Sequence, residues 1–569
     1  MVTRSWPPSN ASRRAEALAL PLVAVASLAA GFVIFFVLVL ADRPPGWDEA
    51  SHALQGALIA RDVGAGDLLG LLFDTYRQVY WPPLHSWLVG AAFLVVGPSM
   101  EAARAVSVLA FVFLVPVLYL VARSVEPRGG TLAGSLAAGM TIACPGIIAL
   151  AAANLLELTA LLAFSLTLLI YCWLERNPGA RPESQALLGA CAVLTYLAKT
   201  NYGVLLLICI ALTRLLAARF RLRPLLTRRN LYLVLPVVLF CAIWFAWPPK
   251  LISTWTALVN QPYGGEQGRG LAGLLYFPRS IVEISGAIAV LLWAGLAVNW
   301  MWRREPGIGF LLVVAFVQLA LGEIHHTKID RHILPVFPPM IVLTGVAGAR
   351  LWGWLKTSGN ADARLALALL SWIAILQAAT FGFPHRTPVV QTPSPADDRH
   401  GVEVLAYLSA AIREETPSLV LDLSRSWPHP PTVDWHLVSR GLVPVTASGA
   451  ALDPRQDRLL VRRLAGLRIS EGLRTEARRV LERYDAPSST RTFHAADRLP
   501  QSPDEFAAGL DATLRADPPR SIILLEGPPE PTSIPADFVE RAIVGEGYRQ
   551  VSVRNFPAVR VRVTAYRRP

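Results

Sequence analysis

Asp48 and Glu49 stand side by side in Pro45-Gly46-Trp47-Asp48-Glu49-Ala50, directly after the first long apolar run of the chain. A carboxylate is costly in hydrocarbon, so an acid held at a membrane boundary is a candidate functional group. There it can accept a proton from a hydroxyl, the step that a group transfer to an alcohol requires. Asp is also a strong helix N-cap, and Asp48 opens a predicted amphipathic helix over Glu49 to Arg61. The two roles are compatible. A second acid, Glu157, follows the small-residue run Ala151-Ala152-Ala153-Asn154. A packing or hydrogen-bonding role stands beside a catalytic one for it. Two carboxylates facing one cavity can hold a cation or divide base and binding roles, so Asp48 and Glu157 are the pair that would take a divalent ion.

The cationic candidates are Lys199, in Ala198-Lys199-Thr200-Asn201-Tyr202-Gly203, and the stretch His325-His326-Thr327-Lys328-Ile329-Asp330-Arg331-His332. Arg offers phosphate a planar fork and Lys a compact point charge. Snorkelling to lipid headgroups is the plainer role of such residues at helix ends. Positive charge is nevertheless scarce on the outer face of membrane proteins, which makes Arg331 and Lys328 candidate phosphate ligands. His325 and His326 are adjacent, their rings project differently and no third ligand is evident, so zinc is not expected. Tyr76, Tyr80, Trp81 and Trp87 surround Pro82-Pro83, and Trp244, Trp247, Trp255 and Tyr263 form a second aromatic group. Interfacial belts explain most of these, and stacking on a sugar face is the alternative use.

The elements that position these residues are membrane helices. The chain has 569 residues, 53% of them hydrophobic, and a mean hydropathy of +0.43. Runs near the ~20 residues that cross a bilayer recur through the first two thirds. Spans are expected at roughly 17–41, 102–122, 131–150, 157–174, 185–198, 202–218, 230–247, 279–301, 308–323, 332–354 and 364–382. The first is longer than a signal-peptide core and lacks a small-residue cleavage site, so it reads as retained. Basic loops then alternate as the positive-inside rule demands, with Arg214, Arg219, Arg221, Arg223, Arg228 and Arg229 facing the cytoplasm. That pattern accounts for the net charge of +12 without a nucleic-acid partner. The parity requires that the short apolar stretch 84–97 not cross fully, as a re-entrant or interfacial segment would not. Asp48, Glu49, Glu157, Lys199, Glu266, Glu283, Glu323, His325, His326, Lys328, Asp330 and Arg331 then share the outer face. The five cysteines all fall in apolar segments and read as packing residues.

After Phe383 the composition becomes that of a soluble domain. Residues 384–400, with Pro384, Pro388, Pro393 and Pro395, read as a linker, and 401–569 as a small extracytoplasmic α/β domain. Val402 to Glu414 predicts an amphipathic helix, and Ser418 to Leu423, Ser521 to Leu525 and Val559 to Ala565 predict strands. No P-loop, dinucleotide fingerprint, zinc motif or internal repeat is present.

In order, these segments resemble the bacterial GT-C glycosyltransferases of the protein O-mannosyltransferase and lipid A aminoarabinose transferase type. The matching pieces are Trp47-Asp48-Glu49-Ala50, Trp81-Pro82-Pro83-Leu84-His85-Ser86-Trp87, Gly97-Pro98-Ser99 through Ala103-Arg104, Glu157, Ala198-Lys199-Thr200, and Lys328-Ile329-Asp330-Arg331-His332-Ile333-Leu334-Pro335. The similarity covers residues 1 to about 355. Trp81 stands where several relatives have Lys, and His332 where Tyr is frequent.

The resemblance implies a polytopic α-helical protein of 11 to 13 membrane helices. Residues 1–383 would form the catalytic domain, with 42–101 as its first extracytoplasmic loop. It further implies transfer of a sugar from a polyprenyl-phosphate donor to a lipid, glycan or protein acceptor at the outer face of the inner membrane. Asp48, Glu49 and Glu157 would be the catalytic acids. Lys199, Lys328, Arg331, His325, Tyr80, Trp81 and His85 would bind substrate. No organic cofactor is implied, and a divalent cation is compatible with the acids. A lipid-linked saccharide transporter and an inactive scaffold are the competing classes; a transporter should show internal repeats or midplane helix breaks, which are not evident.

Overall fold

The computed structural model describes residues 10–41, 43–76, 78, 81–127, 129–221, 223–246, 250–251, 254, 273–286, 288–324, 328–357, 395–414, 418–422, 430–440, 442, 490–494, 510, 514, 518–527, 536–557 and 560–569. The chain begins with α1 (Asn10–Ile34), prolonged by a π-turn over Phe35–Val39. There follow α2 (Trp47–Gly64), α3 (Leu68–Tyr76), α4 (Leu84–Val96), α5 (Met100–Val125), α6 (Gly130–Ala143) and α7 (Pro145–Ala151). Next come α8 (Leu156–Arg176), α9 (Ser184–Ala198), α10 (Thr200–Ala217), α11 (Arg228–Trp244), α12 (Tyr276–Ser285), α13 (Ile288–Asn299), α14 (Pro306–Ile324) and α15 (Phe337–Thr357). The C-terminal region supplies α16 (Pro395–Glu414), β1 (Ser418–Asp422), α17 (Pro430–Ser439), β2 (Thr490–His494), β3 (Ser521–Glu526), α18 (Ala536–Gly545), β4 (Arg549–Phe556) and β5 (Val561–Arg567).

These elements form two packed units, one made of residues 1–41, 78–85 and 104–391, the other of 42–77, 86–103 and 392–569. In the first, helices stand at every expected span except 364–382, which lies outside the described residues. Residues 384–394 of the expected linker also lie outside them, whereas 395–400 are not linker but the first turns of α16. Among the described residues, six helical stretches are long and apolar enough to cross a membrane: Glu16–Val39, Met100–Val125, Leu156–Arg176, Thr200–Ala217, Pro306–Ile324 and Asp330–Lys356. α6 and α7, bent by 64°, count as a seventh if they form one span. Pro145, at the first position of α7, cannot donate the hydrogen bond that would continue α6. The expected span 279–301 is likewise divided. Gly286 ends α12 at φ 59°, a left-handed conformation open to glycine at little cost. α4 has 13 residues, short for a crossing, as the parity argument requires. Cys144, Cys172 and Cys209 are buried thiols, whereas Cys241 is exposed on its helix.

Among the described residues, the second unit contains a five-stranded sheet of order β2-β1-β3-β5-β4. β1 runs parallel to β2 and β3, and β5 is antiparallel to β3 and β4. Central strands covered on both faces read as continuous apolar runs, as Ser418-Leu419-Val420-Leu421 and Ser521-Ile522-Ile523-Leu524-Leu525 do. Val420, Ile523 and Leu525 pack with Val404, Leu408 and Val433 from α16 and α17. Leu419, Leu421, Ile522 and Leu524 pack on the other face with Val539 and Ile543 from α18. The sequence reading of a small α/β domain holds for the sheet, and β2 and β4 are strands it missed.

The same unit includes α2, α3 and most of α4. Phe93 of α4 stacks on Trp435 of α17 at 5.6 Å, and the Thr432 hydroxyl donates to the Pro45 carbonyl at 3.1 Å. α2 is therefore enclosed, and not the amphipathic helix that its spacing predicts. Ala50 through Ile59 is buried without interruption, because small residues let neighbours close on every side of the helix. At its end, Arg61 donates to Asp62 at 2.7 Å and to Asp74 of α3 at 3.3 Å. Both acids are buried. Desolvation, reinforced by Asp74, pushes the Asp62 carboxyl up to about 7. A folded-state pKa above the unfolded one gives stability that is complete below about pH 4 and lost as pH rises through about 7. The melting temperature is thus expected to fall between pH 5 and pH 8, and Asp62→Asn, which imitates the protonated carboxyl, to flatten that fall. Parallel losses in variant and wild type would remove the pair as the cause.

Candidate functional site

Between α7 and α8 the chain unwinds over residues 152–155, and α8 restarts with Leu155 as an N-cap that has no side-chain cap. Glu157 lies in the first turn, where unsatisfied N–H groups and the helix dipole favour an anion. It is 2% exposed, so its charge requires partners. Two cations supply them at one oxygen. Lys199 Nζ is 2.9 Å from Oε1, and Arg331 Nη1 is 3.5 Å from the same atom.

Each cation is held at a break in helical structure. Lys199 is a single extended residue, φ −158° and ψ 118°, between α9 and α10. Its ammonium also lies 5.0 Å from the Tyr202 ring centroid. The hairpin of α9 and α10 closes because Gly203 carries no side chain; a Cβ there would lie 2.5 Å from the Tyr196 Cα. Gly203→Val is therefore expected to cost about 1–3 kcal/mol or more through overpacking and to displace Lys199. A thermal melt measures the first effect, and a wild-type melting temperature in the variant would contradict the close approach.

Arg331 sits in a 3-10 turn over Asp330–Val336. The turn is pinned on both sides: Ser280 of α12 donates to Asp330 at 2.5 Å, and Gln318 of α14 donates to the His332 carbonyl at 2.5 Å. Lys328, only three residues earlier, is used differently. Its ammonium donates to the Gly322 and Glu323 carbonyls at 2.8 and 3.0 Å and pairs with the Glu323 carboxylate at 3.1 Å. Lysine at a helix C-terminus is stabilised by just such carbonyls, so Lys328 caps α14.

His85 is buried, with Nδ1 2.9 Å from the Thr159 hydroxyl and Nε2 2.9 Å from Asn154 Oδ1. Trp81 is half-buried. Tyr80, His325 and Glu266 lie outside the described residues. Sequence reasoning missed Thr159, as well as Lys250. The Lys250 ammonium is buried, donates to the Gln78 carbonyl at 2.6 Å and lies 4.5 Å from the Trp244 ring centroid. Burial pushes it down to about 7. The only signal was a lysine following two prolines, Pro248-Pro249-Lys250, close to an aromatic group.

In the second unit the two neighbouring acids separate. The N-cap of α2 is Gly46, not Asp48, and the helix starts at Trp47. Glu49, three residues on, accepts from the Gly46 N–H at 3.2 Å through Oε2 and from Arg43 at 3.3 Å through Oε1. Both its oxygens are thus engaged in closing the helix start. Asp48 is half-buried in the first turn. Among the described residues no three His, Cys, Asp or Glu side chains converge to hold a metal ion. Glu157 is met by two cations instead, a donor set that does not fit a divalent ion.

The chain is 28% identical over 367 residues to the undecaprenyl phosphate-alpha-4-amino-4-deoxy-L-arabinose arabinosyl transferase of Pseudomonas paraeruginosa, across 60% of this chain and 63% of that protein. The enzyme of the same name from Pseudomonas aeruginosa strain PAO1 is 27% identical over 368 residues. The chain therefore matches less than two thirds of the length of these curated relatives. No family model matches it. The crystal structure of apo ArnT from Cupriavidus metallidurans superposes with a TM-score of 0.53 at 17% identity, covering 95% of this chain and 97% of that one. The chain has the ArnT fold. The undecaprenyl phosphate-bound form of the same ArnT gives 0.51 at 16% identity. The resemblance read from the motifs is thus borne out by both sequence and fold. The ArnT-like architecture is helical and polytopic, with a small C-terminal sheet.

Proposed function

We propose that the protein is a membrane glycosyltransferase that moves a sugar from a polyprenyl-phosphate carrier to an acceptor hydroxyl. The observation that carries this reading is the Glu157, Lys199 and Arg331 cluster, in which two cations meet at one buried carboxylate oxygen. A prenyl phosphate leaving group develops negative charge as its bond to the sugar breaks, and fixed cations stabilise it. Arg331, the more distant of the two from Glu157, carries a planar guanidinium of the kind that binds phosphate through paired N–H donors. The relatives' names and the undecaprenyl phosphate-bound ArnT support a polyprenyl-phosphate donor.

Asp48 is the base in this reading, with Glu49 closing the helix that presents it. Its carboxylate takes the proton from the acceptor hydroxyl as that oxygen attacks the anomeric carbon. The bond from that carbon to the phosphate oxygen breaks with its electron pair on the phosphate. One displacement inverts the anomeric configuration. The full account has 11 to 13 membrane helices, a site at the outer face of the bacterial inner membrane and an extracytoplasmic C-terminal domain. A lipid, glycan or protein supplies the hydroxyl. The anomeric configuration of the product, read by NMR against that of the donor, tests the single displacement. Inversion is expected, and retention would require a covalent intermediate and overturn the assignment of Asp48 as base.

A further inference from the structure

α8 begins without a cap of its own, yet the charge cluster depends on where its first turn lies. Asn154 precedes the helix, Thr159 lies within its first turns and Glu157 stands between them. All three are buried, at 0%, 4% and 2% exposure. The His85 imidazole, 1% exposed, reaches both flanking residues at 2.9 Å. An amide oxygen only accepts, so Nε2 carries the hydrogen and donates to Asn154; Nδ1 then accepts from the Thr159 hydroxyl. That arrangement satisfies both nitrogens of a neutral ring. Burial also pushes the imidazole down to about 4, which keeps it neutral at working pH.

We propose that His85 is a positioning residue that braces the start of α8 and so fixes the Glu157 carboxylate at the point where Lys199 and Arg331 meet it. Its ring neither binds substrate nor transfers a proton, although the family resemblance placed it among the substrate ligands. The inference rests on the glycosyltransferase reading. A neutral ring with two fixed partners has a single geometry. Through their side chains the ring ties Asn154, upstream of the N-cap, to Thr159 in the first turns, on either side of Glu157.

The test is a double-mutant cycle on kcat/KM for sugar transfer, with His85→Ala, Glu157→Gln and the pair, in purified protein in lipid. A misplacement of about 1 Å can cost roughly 10²-fold in rate, so His85→Ala is expected to lower kcat 10- to 100-fold with donor KM little changed. Added to Glu157→Gln, it should produce almost no further loss. His85→Gln, which keeps a donor toward Asn154, should recover part of the rate and retain the wild-type pH profile. If His85→Ala does not fold, His85→Gln takes its place in the cycle. Losses that multiply, or a rise in donor KM at constant kcat, overturn the positioning role. Loss of one limb of the pH profile in His85→Gln overturns the neutral ring. Absence of transfer by the wild type overturns the glycosyltransferase reading itself, and this inference with it.

Discussion

Asp48→Asn is expected to lower sugar transfer roughly 10²- to 10⁴-fold, the usual contribution of a positioned general base. The amide keeps the size and most of the hydrogen bonding of the carboxylate but cannot accept the acceptor's proton at neutral pH. The helix start should survive, because Glu49, not Asp48, receives the Gly46 N–H and the Arg43 guanidinium. Glu49→Gln should therefore show the opposite balance. It weakens the cap and the ion pair, costing about 0.5–2 kcal/mol of stability, while transfer by the folded fraction continues. Rates of donor consumption and melting temperatures of the two variants, measured together, separate the roles. A Glu49→Gln enzyme without turnover but with wild-type stability would exchange the assignments.

Arg331→Met should reduce transfer by roughly 10²- to 10³-fold, the scale of losing one fixed group that stabilises transition-state charge. Folding should persist. Lys199 remains 2.9 Å from the Glu157 carboxylate, so the buried acid keeps a counter-ion, and the 3-10 turn stays pinned through Asp330 and His332. Arg331→Lys preserves the charge but loses the planar fork, so an intermediate rate is expected. Lys328→Met should instead act on stability, because its ammonium caps α14 through the Gly322 and Glu323 carbonyls. Steady-state kinetics with a polyprenyl-phosphate sugar distinguish them. Equal kinetic losses at Arg331 and Lys328 would show that the helix cap is not the main use of Lys328.

The charge cluster was partly legible in the sequence because Glu157, Lys199 and Arg331 each interrupt an apolar context where a helix starts or stops. That they meet at one oxygen was not, since each comes from a different helix break and no local spacing encodes the encounter. Lys328 shows the limit from the other side. It has the same composition cues as Arg331, but the end of α14 at Ile324 lies within reach of its side chain and takes the ammonium. At the first acidic pair, the glycine at position 46 concealed the cap, because the usual signal there is Ser, Thr, Asp or Asn. α2 misled for a related reason. Its alternation of polar and apolar residues predicts one wet face, while Ala50, Ser51, His52, Ala53 and Gly56 are small or polar enough to be enclosed by α3, α4 and α17. The buried Asp62 and Asp74 pair depends on how α3 folds back, which spacing along the chain does not fix.

The most direct test of the central claim is turnover of defined donors by the wild-type protein reconstituted in lipid. A panel of polyprenyl-phosphate sugars would be offered with a membrane extract as acceptor, and released polyprenyl phosphate and labelled acceptor would be quantified together. The account predicts that one donor is consumed, with carrier phosphate released in proportion to sugar transferred. A protein that binds a donor, moves it between leaflets or leaves it intact, and never releases the carrier phosphate, would contradict it.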